Sequence, residues 1–293
     1  MGPRRLMLAV LLSAMTVPLV AAEWVASDAG ETAIVAMKHA PFPHESRKDG
    51  FTSKETVYPA ETHYADSSVG LFIPKGYVVG EKTDLLFYFH GWGNTIAGSF
   101  EQFKLREQVA ASRKNVILVF PEGPVNANDS GLGKLEDADG LKNLVGEVLD
   151  ALTAEKKIPS ANAGRILLSG HSGAFRGIAF CLDRGGMEEH VSDVFLLDAA
   201  YANTDYMGAW AIRRKGARLS SVFTDHLAAD NTNIMAMLSA ANQPFAVRMD
   251  PDWTPEDLAA NRFFFLHTEK RTHNQCTELL EPFLRASTLT NIQ

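Results

Sequence analysis

The run Gly170-His171-Ser172-Gly173-Ala174 is a small-residue turn with a hydroxyl at its centre. A serine hydroxyl is a poor nucleophile at neutral pH. It attacks when an imidazole takes its proton and a carboxylate holds that imidazole in the right tautomer. The chain offers both partners downstream. Asp198 and Asp225 each follow an apolar run, and His267 and His273 follow a third. Serine, carboxylate and imidazole together can cleave an acyl bond through a covalent intermediate. A metal route has less support, because the histidines lack the i, i+4 pairing of a zinc-binding helix. Neither a metal nor a cofactor is expected.

These groups work only if the elements before them end at one place. Ile166 to Leu168 suit a buried strand, and Phe175 to Leu182 resume at helical spacing, so the turn is a strand-to-helix bend with Ser172 at its apex. Leu85 to Phe89 are apolar on both faces, the mark of a central parallel strand, and stop at His90-Gly91-Trp92-Gly93. A helix over residues 100–112 leads to a buried strand over Asn115 to Phe120, which ends at Pro121-Glu122. Residues 137–153 carry Leu141, Leu144, Val145, Val148, Leu149 and Leu152 at the spacing of a sheet-covering helix. Val191 to Leu197, Leu219 to Thr224 and Arg262 to Leu266 are three more buried strands. Strands alternating with helices imply an α/β architecture, a mostly parallel central sheet with helices on both faces. Because parallel strands end at the same edge, the titratable groups that follow them converge near Ser172.

The turn resembles the nucleophile elbow of the α/β-hydrolase superfamily, Gly-x-Ser-x-Gly, with Ala174 in place of the last glycine. His90-Gly91-Trp92 resembles the loop after the third strand in that family. The segment Phe72-Ile73-Pro74-Lys75-Gly76-Tyr77 looks like exported esterases of the feruloyl-esterase and polyester-depolymerase type. The resemblance spans Ser67 to the C-terminus and implies a chain order of nucleophile, acid and base, with an oxyanion held by the backbone N–H groups of Trp92 and Gly173. It makes Ser172 the nucleophile and His273 the base, with His267 as runner-up. Asp198 is the preferred acid, because it ends the more apolar strand and because Leu196-Leu197-Asp198-Ala199-Ala200 resembles a lipase segment; Asp225 is the alternative. His90, Glu122 and His171, at the same edge, are candidates for substrate contact. Trp92 has a second reading, a plug over the end of the sheet. Met235, Met237, Phe245, Met249 and Trp253 suit either a groove wall or the core.

The expected activity is hydrolysis of a small-molecule or polymer-borne carboxylic ester. An amidase or peptidase of the same fold, or a non-catalytic binding protein built on it, are the rival readings. A net charge of −7 without a basic block argues against nucleic acid or an anionic membrane as partner. Arg4 and Arg5, the apolar run from Leu6 to Val20 and the small residues Ala21 and Ala22 resemble a signal peptide over residues 1–22, removed after Ala22. That implies a secreted or periplasmic enzyme with no membrane contact after cleavage. Residues 23–66 are expected to wrap the edge of a single domain over 67–293. Export permits a disulfide between Cys181 and Cys276, but the resemblance places them on opposite faces of the sheet, as two buried thiols.

Overall fold

The computed structural model describes residues 22–292, so the signal-peptide expectation lies almost wholly outside the described residues. Within them, the chain opens with β1 (Val25–Ala26) and β2 (Gly30–Ala36), followed by a separate hairpin of β3 (Phe51–Ser53) and β4 (Thr56–Tyr58). Then come β5 (Ser68–Pro74), β6 (Thr83–Phe89), β7 (Ile117–Pro121), β8 (Ala163–His171), β9 (Val191–Leu197), β10 (Arg218–Phe223), β11 (Ala246–Met249) and β12 (Phe263–His267). Ten of these strands form one sheet in the order β1-β2-β5-β7-β6-β8-β9-β10-β12-β11. From β7 to β11 every neighbour runs parallel, and β5 is antiparallel to both of its neighbours.

Side chains of successive strand residues point to opposite faces, so each all-apolar strand feeds two cores. Leu85, Phe87 and Phe89 of β6 join one cluster; Leu86 and Tyr88 join the other. The first face is covered by α4 (Gly140–Ala154), α5 (Phe175–Arg184), α6 (Thr204–Arg213) and α7 (Ala228–Ala240), after a short α1 (Ala60–His63) near the N-terminus. The second lies under α2 (Ile96–Phe103), α3 (Leu105–Ser112), α8 (Pro255–Ala260) and α9 (Leu280–Ala286). None of the described helices is long and apolar enough to cross a membrane.

One expectation changes. Residues 100–112 are not one helix, because Lys104 takes a left-handed conformation (φ 50°) that ends α2 and starts α3 in a new direction. The segment before residue 67 adds β1 and β2 at one end of the sheet. β2 pairs with β5 over its whole length, from Gly30 opposite Pro74 to Ala36 opposite Ser68. Its polar, turn-rich sequence hid a strand whose residues are only partly covered. Met235 and Phe245 pack against the first core and Trp253 against the second, so this stretch is chiefly structural.

Cys181 belongs to one core and Cys276 to the other, with the sheet between them. Burial pushes both thiols well above the ordinary cysteine range. Native protein prepared without reductant is therefore expected to react slowly with a thiol reagent and to titrate two thiols once unfolded. Fewer than two would contradict the packing.

Candidate active site

The serine turn is made by local geometry. β8 ends at His171, and Ser172 takes φ 55°, a left-handed conformation that costs a non-glycine residue about 1–3 kcal/mol. One short 3-10 turn, Ser172–Ala174, then leads into α5, whose first N–H groups face the turn. The loop after β6 presses against it. A Cβ on Gly91 would lie 2.6 Å from Ser172 Cβ, so only glycine lets this backbone pass so close. On Gly173 a Cβ would lie 2.6 Å from Trp92 Cδ1, which places the indole over the turn. Trp92 is 54% exposed and its Nε1 donates to Ser130 Oγ at 2.8 Å, so the indole lies at the surface beside the turn and is not a buried plug. Ser130 follows Asp129, which is clamped by Arg47 through two hydrogen bonds of 2.6 and 3.0 Å.

His90 and Glu122 are buried, contrary to a substrate-contact role. His90 Nδ1 donates to the carbonyl of Gly91 at 2.6 Å, and its Nε2 faces the Gly123 N–H and Glu122 Oε1 at 3.1 and 3.0 Å. Both Glu122 oxygens accept the N–H of Ile96, the first residue of α2. A carboxylate at a helix N-terminus is favoured by the helix dipole and by the unpaired N–H groups there. The pair thus braces the loop that carries Trp92 from beneath.

His171 is buried too. Its Nε2–H donates to the carbonyl of His273 at 3.1 Å, and the two rings lie 4.3 Å apart. Burial, then the charge of His273, pushes His171 down to about 3, so it is neutral at working pH. It supports the His273 loop from below and does not line the cleft. The depressed value has a consequence for stability. Between pH 6.5 and 3 the unfolded chain takes up this proton and the folded chain does not, so the contribution is complete above pH 6.5 and is lost as pH falls. In that window the His171 contribution is expected to weaken folding by up to about tenfold in the equilibrium per pH unit. Acid melting of His171→Gln, compared with the parent, is expected to show a shallower loss from about pH 6.5 to about 4.5.

His273 Nδ1 lies 2.6 Å from Asp198 Oδ2. Because an ionised carboxylate only accepts, Nδ1 carries the proton and Nε2 is left as the acceptor. Asp198 is fully buried, with φ 51°, and also accepts the Thr224 N–H at 2.8 Å and the Thr224 hydroxyl at 3.0 and 3.2 Å. Burial raises its pKa, but bonds from His273 and Thr224 outweigh that and hold it below the ordinary range. Asp225, in contrast, is largely exposed and bonds His267 Nε2 at 2.6 Å, with the His267 ring stacked on Phe223 at 5.0 Å. The structure therefore joins Asp198 to His273 and Asp225 to His267, as separate pairs.

Two groups carry no signal in the local sequence. The Tyr201 phenol bonds His226 Nε2 at 2.8 Å, and His226 Nδ1 lies 2.6 Å from the Thr224 hydroxyl. Both residues stand just past the ends of β9 and β10, where the same rule of converging strand ends would have found them. Ligand atoms of Asp198, His226 and His273 lie within 4.8 Å of one another. To close on a divalent ion they would have to surrender the hydrogen bonds just described.

The strand order, the antiparallel β5 and the strand–serine–helix bend define the α/β-hydrolase fold. No family model matches the sequence, and no curated protein matches it. Among solved structures, the chain is similar to a feruloyl esterase module from Clostridium thermocellum in complex with sinapinate, at 16% identity and a TM-score of 0.49, over 75% of this chain and 82% of that one. It is also similar to a fluorophosphonate-binding serine hydrolase of Staphylococcus aureus (11%, 0.48, over 76% and 92%) and to an S-formylglutathione hydrolase of Agrobacterium tumefaciens (13%, 0.44, over 92% and 99%). Likeness of this degree adds nothing to the site, whose reading rests on the geometry above.

Proposed function

We propose that the protein is a serine hydrolase that cleaves a carboxylic ester through an acyl-enzyme. Ser172 Oγ attacks the carbonyl carbon while His273 Nε2 takes its proton, and Asp198 stabilises the imidazolium that results. The N–H groups of Trp92 and Gly173, with the start of α5 behind them, hold the oxyanion. When the tetrahedral intermediate collapses, the leaving oxygen departs with the proton from His273. Water then repeats the sequence on the acyl group. The observation that carries this reading is the 2.6 Å bond from buried Asp198 to His273 at the sheet edge where Ser172 sits in a strained turn.

The connection between β9 and β10 holds only α6, so the cleft has no large cap from that side. Exposed Trp92 beside the turn is the aromatic surface we assign to the acyl or alcohol part of a small-molecule or polymer-borne ester. Export follows as part of the proposal from the basic and apolar start of the sequence, with a secreted or periplasmic location.

The test is labelling with a fluorophosphonate probe, followed by rates on matched p-nitrophenyl esters and anilides. Labelling confined to Ser172 and turnover of the esters is the expected result. Preferred cleavage of anilides would move the assignment to an amidase, and absence of labelling would remove the enzyme.

A further inference from the structure

Residues 268–273, which end on the proposed base, lie between β12 and the 3-10 segment Asn274–Leu279, outside any strand or helix. Such a stretch keeps one shape only if its polar groups find partners elsewhere. Here side chains supply them. Buried Thr268 gives its N–H to the Phe223 carbonyl at 2.9 Å, and its hydroxyl oxygen accepts the N–H groups of Lys270 and Arg271 at 3.3 and 3.0 Å. That hydroxyl donates to Asp250 Oδ2 at 3.0 Å. Asp250 follows the end of β11 and gives its own N–H to the His267 carbonyl at 2.8 Å. Its Oδ2 also accepts Arg271 Nε–H at 3.0 Å, and its Oδ1 accepts Trp253 Nε1–H at 3.3 Å. Arg271 Nη1 then donates forward to Glu278 Oε2 at 2.8 Å, in the 3-10 segment beyond His273. The guanidinium thus ties the chain before His273 to the chain after it.

We propose that Arg271 and Asp250 are positioning residues that hold the base-bearing loop in the shape that keeps His273 on Asp198. This rests on His273 being the base for Ser172. His273 has two ties of its own, Nδ1 to Asp198 at 2.6 Å and its carbonyl to His171 at 3.1 Å, which fix the ring and one backbone atom but not the path of the loop. Proton transfer needs the imidazole within hydrogen-bond reach of the hydroxyl, and a misplacement of about 1 Å can cost about 100-fold. The Asp250 carboxylate is only 5% exposed, so it needs a cation beside it, and Arg271 is that cation. Glu278 is largely exposed, so its bond to Arg271 gives direction more than energy.

A group that acts through His273 has nothing to act on once His273 is gone. The experiment measures ester turnover, and the rate of Ser172 labelling by a fluorophosphonate, for the full chain with and without Arg271→Ala, in the parent and in the His273→Ala background. Arg271→Ala is expected to lower kcat about 10- to 100-fold in the parent while KM stays within about threefold. It is expected to slow labelling by a similar factor in the parent but by less than about twofold in the His273→Ala background, the non-additivity of residues that act as a unit. Arg271→Lys keeps a point charge but loses the planar fork that reaches Asp250 and Glu278 together, and is expected to fall between Arg271→Ala and the parent. Circular dichroism and Tm establish that each variant is folded, and should Arg271→Ala not fold, Arg271→Lys carries the same comparison. Equal slowing of labelling in both backgrounds, or unchanged kcat in folded Arg271→Ala, would overturn the positioning role. Failure of the parent to label at Ser172 would instead overturn the hydrolase reading itself.

Discussion

Ser172→Ala is expected to lower kcat/KM for ester hydrolysis by about 10⁴- to 10⁶-fold, leaving only what oxyanion donors and substrate binding can do alone. No nearby group replaces it, since the oxygens of Thr224 and Tyr201 already serve Asp198 and His226. The same position tests the turn. Ser172 holds φ 55°, which glycine adopts freely and alanine does not. Ser172→Gly is therefore expected to unfold about 1 kcal/mol harder than Ser172→Ala, although both are inactive. Rates of the purified variants with an ester substrate, and their denaturant midpoints, check the two statements independently. Activity of Ser172→Ala within about tenfold of the parent would remove the proposed mechanism.

The second large effect separates the two acids. Asp198→Asn is expected to reduce kcat by about 10⁴-fold, because the amide N–H₂ can donate to His273 Nδ1 and so drives the imidazole proton to Nε2, where it faces the nucleophile. The amide oxygen can still accept from Thr224, so the variant is expected to fold. Asp225→Asn touches only the exposed His267 pair and is expected to stay within about threefold of the parent, as surface ion pairs contribute little. Measuring both variants side by side is decisive. Equal losses would mean that the two pairs are coupled, and a larger loss at Asp225 would reverse the assignment.

Much of this site is legible in local sequence pattern. The apolar run Ile166 to Leu168, the small-residue turn and the helical spacing after it form one such pattern, and β8, Ser172 and α5 fall where it puts them. Leu85 to Phe89 read as a central strand because both faces are apolar, and β6 does supply both cores. The misreadings share one cause. His90, Glu122 and His171 stand at strand ends beside the turn, which in sequence looks like access to substrate. In space the loops fold over them, and their polar atoms are spent on Gly91, Ile96 and His273. β2 is hidden for the converse reason, since an edge strand with one partly solvated face needs no apolar run.

The amino-acid sequence by itself determined the central strands and most of the helices between them, that the strand ends gather, and that a serine sits at the sharpest bend, because periodicity and small-residue turns act over a few neighbouring residues. Only the tertiary structure decided which carboxylate meets which imidazole. Asp198 and Asp225 both follow buried parallel strands and differ little in local sequence. What separates them is the left-handed turn at Asp198, which comes with a fully buried carboxylate bonded to Thr224 and to His273, 75 residues away along the chain. Tyr201 and His226 gained their partners in the same way, from contacts that exist only once the sheet is assembled.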